Sequence, residues 1–413
     1  MKKKSLVLLC LFLLLSFAGC GPLTGTGSSS PQLRSSTGRQ TPTATTTPTA
    51  IPTLYSSTKD GLYGFDASTG KMLWHNSDIV PADQPGQPLI NGNTVYVQEN
   101  NALYAFNMRN GKLLWQFAYE QYLPNQGDVT FLIGQKAIYV VTSDGVPATA
   151  GPFYGRDNML TQRAASTIIV IDPASGSLFW QKKLSYDLSD PVLESGTIYG
   201  IGSTTMHGTL YALSGSDGSV IWQQPFAQTT GFYISMVAVS RTLYFEKLAD
   251  PSVGNEFSFY AFSSKDGSEL WKTSQFLSKA GGSQLTVSGN IIYACVNEVL
   301  YAFKSDDGSI LWSRTFPVVD NGVIPVANGL IYLQTQAAFN QQPITLQALN
   351  ASTGKTVWSE QAPEGTGPWL VNHNNLYILG AGSLFVFDPM TGKSITSYPF
   401  PTDQDGLLMI ASA

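Results

Sequence analysis

The sequence predicts an all-β chain, an eight-bladed β-propeller of four-stranded blades closed by the C-terminal strand joining blade one. Three observations predict it. A thirteen-residue phrase, made of an apolar strand, a tight turn ending in Gly and a short strand ending in Trp, is written eight times: Leu62–Trp74, Leu103–Trp115, Ile168–Trp180, Leu210–Trp222, Phe259–Trp271, Leu300–Trp312, Leu346–Trp358 and Leu384–Thr396. An apolar residue followed by tyrosine stands upstream of every copy, at Tyr55, Tyr96, Tyr139, Tyr199, Tyr244, Tyr293, Tyr332 and Tyr377. The turn glycines recur every 38 to 49 residues with one gap of 65, the period of a propeller blade.

The first segment is a leader. Residues 1–19 read as a lipoprotein signal peptide: Lys2–Lys4, an apolar stretch Leu6–Leu15, then Phe17-Ala18-Gly19 before Cys20. The apolar stretch is too short to span a bilayer. Ala-Gly-Cys resembles the bacterial lipobox, which makes Cys20 the lipidated N-terminus of the mature chain, although Phe17 stands where Leu is usual. Each buried CH₂ of an acyl chain contributes about 0.8 kcal/mol of anchoring. Residues 20–52 follow as a Thr/Ser/Pro/Gly-rich stalk that is too polar to build a core and is expected to be disordered. At about 3.1 Å per residue it reaches up to roughly 100 Å.

Residues 53–413 are the repeat domain. The glycines Gly70, Gly111, Gly176, Gly218, Gly267, Gly308, Gly354 and Gly392 end turns written as Asp/Asn-x-x-x-Gly, where the chain needs a positive φ. Four residues later come Trp74, Trp115, Trp180, Trp222, Trp271, Trp312 and Trp358, with Thr396 in the eighth copy. Six residues before the Gly stands Gly64, Ala105, Ala212, Ala261, Ala302 or Ala348, with Val170 and Val386 as exceptions. Such small residues predict an indole lying flat over the strand of a neighbouring blade. Lettering the strands A to D outward from the axis, the tyrosine lies on B, the phrase spans C and D, and blade one lacks an A strand. Gly406–Ser412 is the apolar segment left over, and it is expected to fill that gap, which removes a sheet edge.

The phrase LYAF-x-x-x-x-G-x-x-x-W resembles the tryptophan-docking repeat of the pyrroloquinoline quinone (PQQ)-like propellers, over about residues 53–411. Its layout is similar to the non-catalytic lipoprotein branch, the outer-membrane assembly lipoproteins. That resemblance implies an envelope scaffold, but the repeat is shared by enzymes and non-enzymes, and fold does not transmit function. Quinoprotein dehydrogenases carry adjacent cysteines and a calcium-binding Glu/Asn/Asp set, which cannot be matched onto this chain residue by residue. No cofactor is expected, PQQ included.

Other chemistry is equally sparse. Cys295 is the one cysteine beyond the leader and Cys20, so no disulfide is expected. His75, His207 and His373 lie in different blades without ligand spacing, and the Asp-Gly-Ser turns lack the alternating oxygen ligands of a calcium loop. The net charge of −5 becomes −8 once Lys2, Lys3 and Lys4 leave with the leader, which argues against nucleic acid. The chain is expected to be an extracytoplasmic monomer on a lipid anchor, at the cell surface or on the periplasmic side.

Departures from the repeat point to a binding face. Insertions at Ser143–Ser166, Ala249–Glu256 and Gln336–Pro343 all join strand B to strand C, on the end of the ring where D–A loops also emerge. The expected rim comprises Phe153, Tyr154 and Arg156 of the longest insertion with Tyr119, Tyr122, Tyr186, Phe232, Tyr233 and Phe276 of the D–A loops. Aromatics among adaptable polar residues suit a protein or glycan partner at the envelope. A non-catalytic binding or scaffold protein is the expected function. The rival readings are a PQQ-dependent dehydrogenase-like enzyme and a carbohydrate- or ligand-sensing surface domain.

Overall fold

The structure is a computed structural model that describes residues 53–58, 61–78, 88–99, 101–122, 129–143, 165–204, 207–226, 231–249, 256–276, 285–296, 298–316, 324–336, 343–371, 374–380, 382–399 and 407–411. The leader, Cys20 and the stalk lie outside them.

Eight four-stranded antiparallel sheets form the ring. Blade two shows the pattern, with strands at Leu89–Asn91, Thr94–Glu99, Ala102–Asn107 and Leu113–Ala118. Blade one is assembled from both ends of the domain. Leu407–Ala411 pairs antiparallel with Thr53–Thr58 and supplies strand A, with Leu54 opposite Ile410. The expected closure is therefore the observed one. Besides strands, one short 3-10 turn at Glu120–Tyr122 is present, and no helix among the described residues is long and apolar enough to cross a membrane.

The core is divided into eight seams, each shared by two adjacent blades. Tyr55, Leu62 and Trp74 of blade one meet Val95, Val97 and Phe106 of blade two. Leu54, Tyr63 and Phe65 meet Tyr377, Leu379 and Leu384 of blade eight across the closing seam. Alternation in strands B and C explains this: successive side chains point to opposite faces of the sheet, and both faces meet a neighbour.

In blades one, two, four, five and six the Trp and Tyr converge on one carbonyl of the next blade. Trp74 Nε1 donates to the Met108 carbonyl at 3.2 Å and Tyr55 Oη to the same oxygen at 3.0 Å. Trp222 and Tyr199 share the Ser264 carbonyl at 3.0 and 3.3 Å, and Trp312 and Tyr293 share that of Ala351 at 3.1 Å each. A carbonyl has two lone pairs and can accept both. The indole also lies on the turn glycine three residues beyond that carbonyl: a Cβ on Gly111 would collide with Trp74, and one on Gly354 would stand 2.7 Å from Trp312. The small residue has a different role from the expected one. Gly64, Ala105 and Ala348 pair across the hairpin with the Trp of their own blade, so they make room beneath that indole. What the indole covers in the neighbouring blade is a turn.

Two further details depart from the simple phrase. Every C–D hairpin contains a bulge just before the Trp, or before Thr396 in blade eight, so the residue preceding it has no cross-strand partner and is exposed, as with Leu114, Phe179, Leu270 and Ile395. A bulge on the outermost strand increases local twist and blunts an edge that could pair with another sheet. In blades four to six the turn residue four before Gly is Ser214, Ser263 or Lys304, and Asp217, Asp266 or Asp307 caps the turn from the position just before Gly. These capping hydrogen bonds hold the three aspartates below the usual carboxylate range.

Candidate binding face

Strand direction sorts the ring into two faces, one bearing A–B and C–D turns and the other B–C and D–A connections. Ser143 and Ser166 pair at the base of the longest insertion, which fixes its origin on the B–C face of blade three. Ala249 ends strand B and Glu256 begins strand C in blade five, and Thr335 and Thr345 are paired across the third insertion in blade seven. Phe153, Tyr154 and Arg156 lie outside the described residues.

The remaining rim residues separate on inspection of their places. Tyr122 is half-buried and stacks on Phe117, with ring centroids 6.2 Å apart. Tyr186 stands in the D–A connection before blade four, stacked on Tyr211 at 4.2 Å. Tyr119 is 1% exposed and packs edge-on against Phe131 in the seam between blades two and three, so it is core and not an exposed contact. Burial pushes its phenol up to about 12. Phe232 and Tyr233 belong to strand A of blade five (Gly231–Val239) and Phe276 ends strand D (Glu269–Phe276), not to loops as expected. The strands of blade five are longer than the repeat phrase suggests, and they absorb these positions.

Beneath this face lies a layer of buried polar groups that the repeat does not require. Ser56, Glu99, Thr142, Ser166, Glu246 and Thr335 are all buried toward the B–C ends of their blades. Glu246 is fully buried, and neither carboxylate oxygen has a hydrogen-bond partner. Burial drives its pKa well above the usual range, because desolvation disfavours the charged form. The Tyr186 hydroxyl and Gln334 Nε2 are likewise buried without partners. Unsatisfied buried groups each cost about 1–3 kcal/mol, and most of those among the described residues lie toward this face, Thr286 Oγ1 and the Tyr332 hydroxyl being elsewhere.

Strand A of blade four adds a carboxylate pair. Asp187 accepts from Ser166 Oγ at 3.0 Å and Ser189 Oγ at 3.2 Å. Asp190 stands at a bulge before Pro191 with φ of 48°, a conformation uncommon for a residue with a side chain. Burial, then the nearby Asp187 charge, pushes Asp190 up to about 6. The repeat reading missed these groups, although the sequence carries a trace of them. Glu246 is two residues after the blade-five tyrosine, where other blades carry Ser57, Gln98, Val141, Ile201, Cys295, Gln334 and Leu379.

No three His, Cys, Asp or Glu side chains among the described residues group as metal ligands, and Cys295 is buried, with its thiol pushed up to about 12 chiefly by desolvation. The chain contains no adjacent cysteines.

A closed ring whose outer strands lay tryptophans on the turn glycines of the next blade is a propeller of PQQ-like repeats. The family model described as outer membrane protein assembly factor BamB matches residues 28–157, 164–279 and 255–407, and the chain belongs to this family. Similar solved structures include BamB from Moraxella catarrhalis, at 14% identity and a TM-score of 0.53 over 78% of this chain and 89% of that one. Apo AztD from Citrobacter koseri is 12% identical with a TM-score of 0.55, covering 87% of this chain and 98% of that one. Quinohemoprotein alcohol dehydrogenase from Comamonas testosteroni is 14% identical with a TM-score of 0.57, covering 78% and 68%. These likenesses establish the fold alone. No curated protein matches the chain.

Proposed function

We propose that this chain is a secreted, lipid-anchored propeller that acts as a non-catalytic binding or scaffold protein at the cell envelope, with a protein or glycan as its partner and no PQQ. One observation carries the reading: the three insertions into the repeat all join strand B to strand C and so originate on one face, above a layer of buried polar groups. Repeats that only close a ring need neither feature. Membership of the assembly-factor family and a Cys20 that follows Ala-Gly support an envelope location.

The test is affinity capture by the mature protein from its own membranes, beside a variant in which Val146–Ala164 is replaced by a short Gly/Ser link. The intact chain is expected to retain a partner that the variant loses, with thermal stability nearly unchanged because altering a long loop costs little entropy. Capture that survives the deletion moves the site off this face. Dye reduction on adding PQQ and calcium would return the chain to the dehydrogenase class.

A further inference from the structure

The face opposite the insertions carries a charge pattern of its own. The C–D turns that emerge there fall into two arcs. In blades seven, eight, one and two, which are contiguous around the closed ring, the residue after the turn glycine is an exposed lysine: Lys355, Lys393, Lys71 and Lys112. In blades three to six the same position is Ser177, Ser219, Ser268 and Ser309. Arg109 adds a fifth exposed cation to the lysine arc. The carboxylates of that arc are tied into their own turns, Asp66 accepting from the Ser68 amide at 2.8 Å and Asp388 from the Met390 amide at 2.7 Å. The opposite arc mixes signs, with Asp217, Asp266 and Asp307 in its turns and Lys136, Lys182 and Arg241 around them.

The chain also enters the ring inside the lysine arc. Thr53 pairs with Asp66, the first residue of the blade-one turn, and with Ala411, so everything N-terminal to Thr53 joins the domain at this face. We propose that the lysine arc is a docking surface for the headgroups of an anionic phospholipid bilayer. The proposal rests on the reading that Cys20 anchors the chain in that same bilayer.

The physics favours this occupant over a second copy of the chain. Anionic lipid gives a membrane a negative surface potential that attracts clustered lysines, and the attraction fades within a Debye length of about 8 Å at physiological salt. Five exposed cations on one sector of the face that receives the tether can make that contact, and a tether raises their concentration at the surface. A second copy would need a uniformly acidic arc to match, and the opposite arc has both signs. Seated this way, the ring turns its insertion-bearing face away from the bilayer, toward a partner.

The test is cosedimentation of the full Cys20→Ser chain with vesicles of phosphatidylcholine, with or without phosphatidylglycerol. The chain is expected to prefer the phosphatidylglycerol vesicles, and the preference should vanish near 1 M salt, where the Debye length is about 3 Å. Replacing Lys71, Lys112, Lys355 and Lys393 with Ser, the residue of the other four blades, should lower partitioning about tenfold or more while the circular dichroism spectrum stays the same. Equal partitioning of the fourfold variant and its parent overturns the proposal, and so does indifference to phosphatidylglycerol. Self-association of the parent that the four substitutions abolish also overturns it, and gives the arc to a second copy. Neither arm uses an acyl group, so failure of the arc and failure of the Cys20 anchor are read separately.

Discussion

Tyr398 donates its hydroxyl to the carbonyl of Ser68 at 2.8 Å, and its ring lies on Gly70, where an added Cβ would collide with it. This contact replaces the tryptophan that the eighth repeat lacks. Thr396 occupies the Trp position opposite Val386, and Tyr398 reaches the blade-one turn from two residues further along the same strand. Tyr377 Oη completes the closing seam with a 3.4 Å bond to the Ala67 carbonyl, three residues before the turn glycine, where the shared acceptor stands in blades one, two, four, five and six. In this seam tyrosines make the two hydrogen bonds to the blade-one turn, above the apolar packing of Leu54 and Phe65 on Leu379 and Leu384.

Gly70→Ala should therefore destabilise the ring more than Gly92→Ala. Both glycines have positive φ, 65° and 58°, but a Cβ at Gly92 meets nothing within 4 Å. The strain common to both is about 1 kcal/mol, and displacement of the Tyr398 ring should add on the order of 2 kcal/mol at Gly70. Tyr398→Phe should cost about 1 kcal/mol through its lost hydrogen bond. Denaturant melts measure all three, and equal losses for the two glycine variants would remove Tyr398 from the closure.

Glu246 makes a prediction about pH. Its folded pKa is raised, so between the unfolded value near 4.3 and the folded one the unfolded chain has released a proton that the native chain retains. In that window the native state binds more protons and stability falls as pH rises. Glu246→Gln removes this dependence. The variant's advantage in Tm over the parent should be smallest near pH 4 and should grow toward neutrality, and parallel profiles from pH 4 to 8 would mean the carboxyl is ionised in the fold.

The fold was legible because its signals are repeated. Eight glycines and eight tyrosines mark blades that the structure forms one for one, and the surplus apolar segment at the C-terminus is the missing strand. Single-copy features were not legible. Nothing in the spacing around Thr396 says that Tyr398 takes over its work, because the substitution depends on which turn lies across the seam. Tyr119 reads as a loop aromatic, and only the packing of Phe131 against it shows that it is core. Glu246 was hidden because the repeat phrase of its blade begins only at Phe259, after its position. The charge arcs depend on a different fact again: blades eight and one are neighbours only after the ring closes.

Cys20 is testable by fractionation. An acyl anchor here should keep the parent in the membrane pellet through a salt wash, and Cys20→Ser should appear in the soluble secreted fraction. A Ser variant that still resists the wash would show that something other than this residue holds the chain.

Truncation tests the architecture as a whole. Deleting Asp405–Ala413 leaves all eight repeat phrases intact but removes Leu407–Ala411, which pairs with Thr53–Ser57 through five residue pairs. At about 1 kcal/mol for each ladder hydrogen bond, the loss is on the order of 5 kcal/mol before any side-chain burial is counted, comparable to the whole stability of a marginal domain. It also uncovers the inner edge of a strand whose residues Leu54, Tyr55, Ser56 and Ser57 are almost wholly buried, an edge free to pair with another chain. The truncated protein should aggregate or be cut rapidly by protease, and adding the missing segment as a peptide should partly restore resistance. If it melts within a degree or two of the full chain, closure does not depend on this strand, and the ring is held instead by the packing and hydrogen bonds of blade eight on blade one across the closing seam.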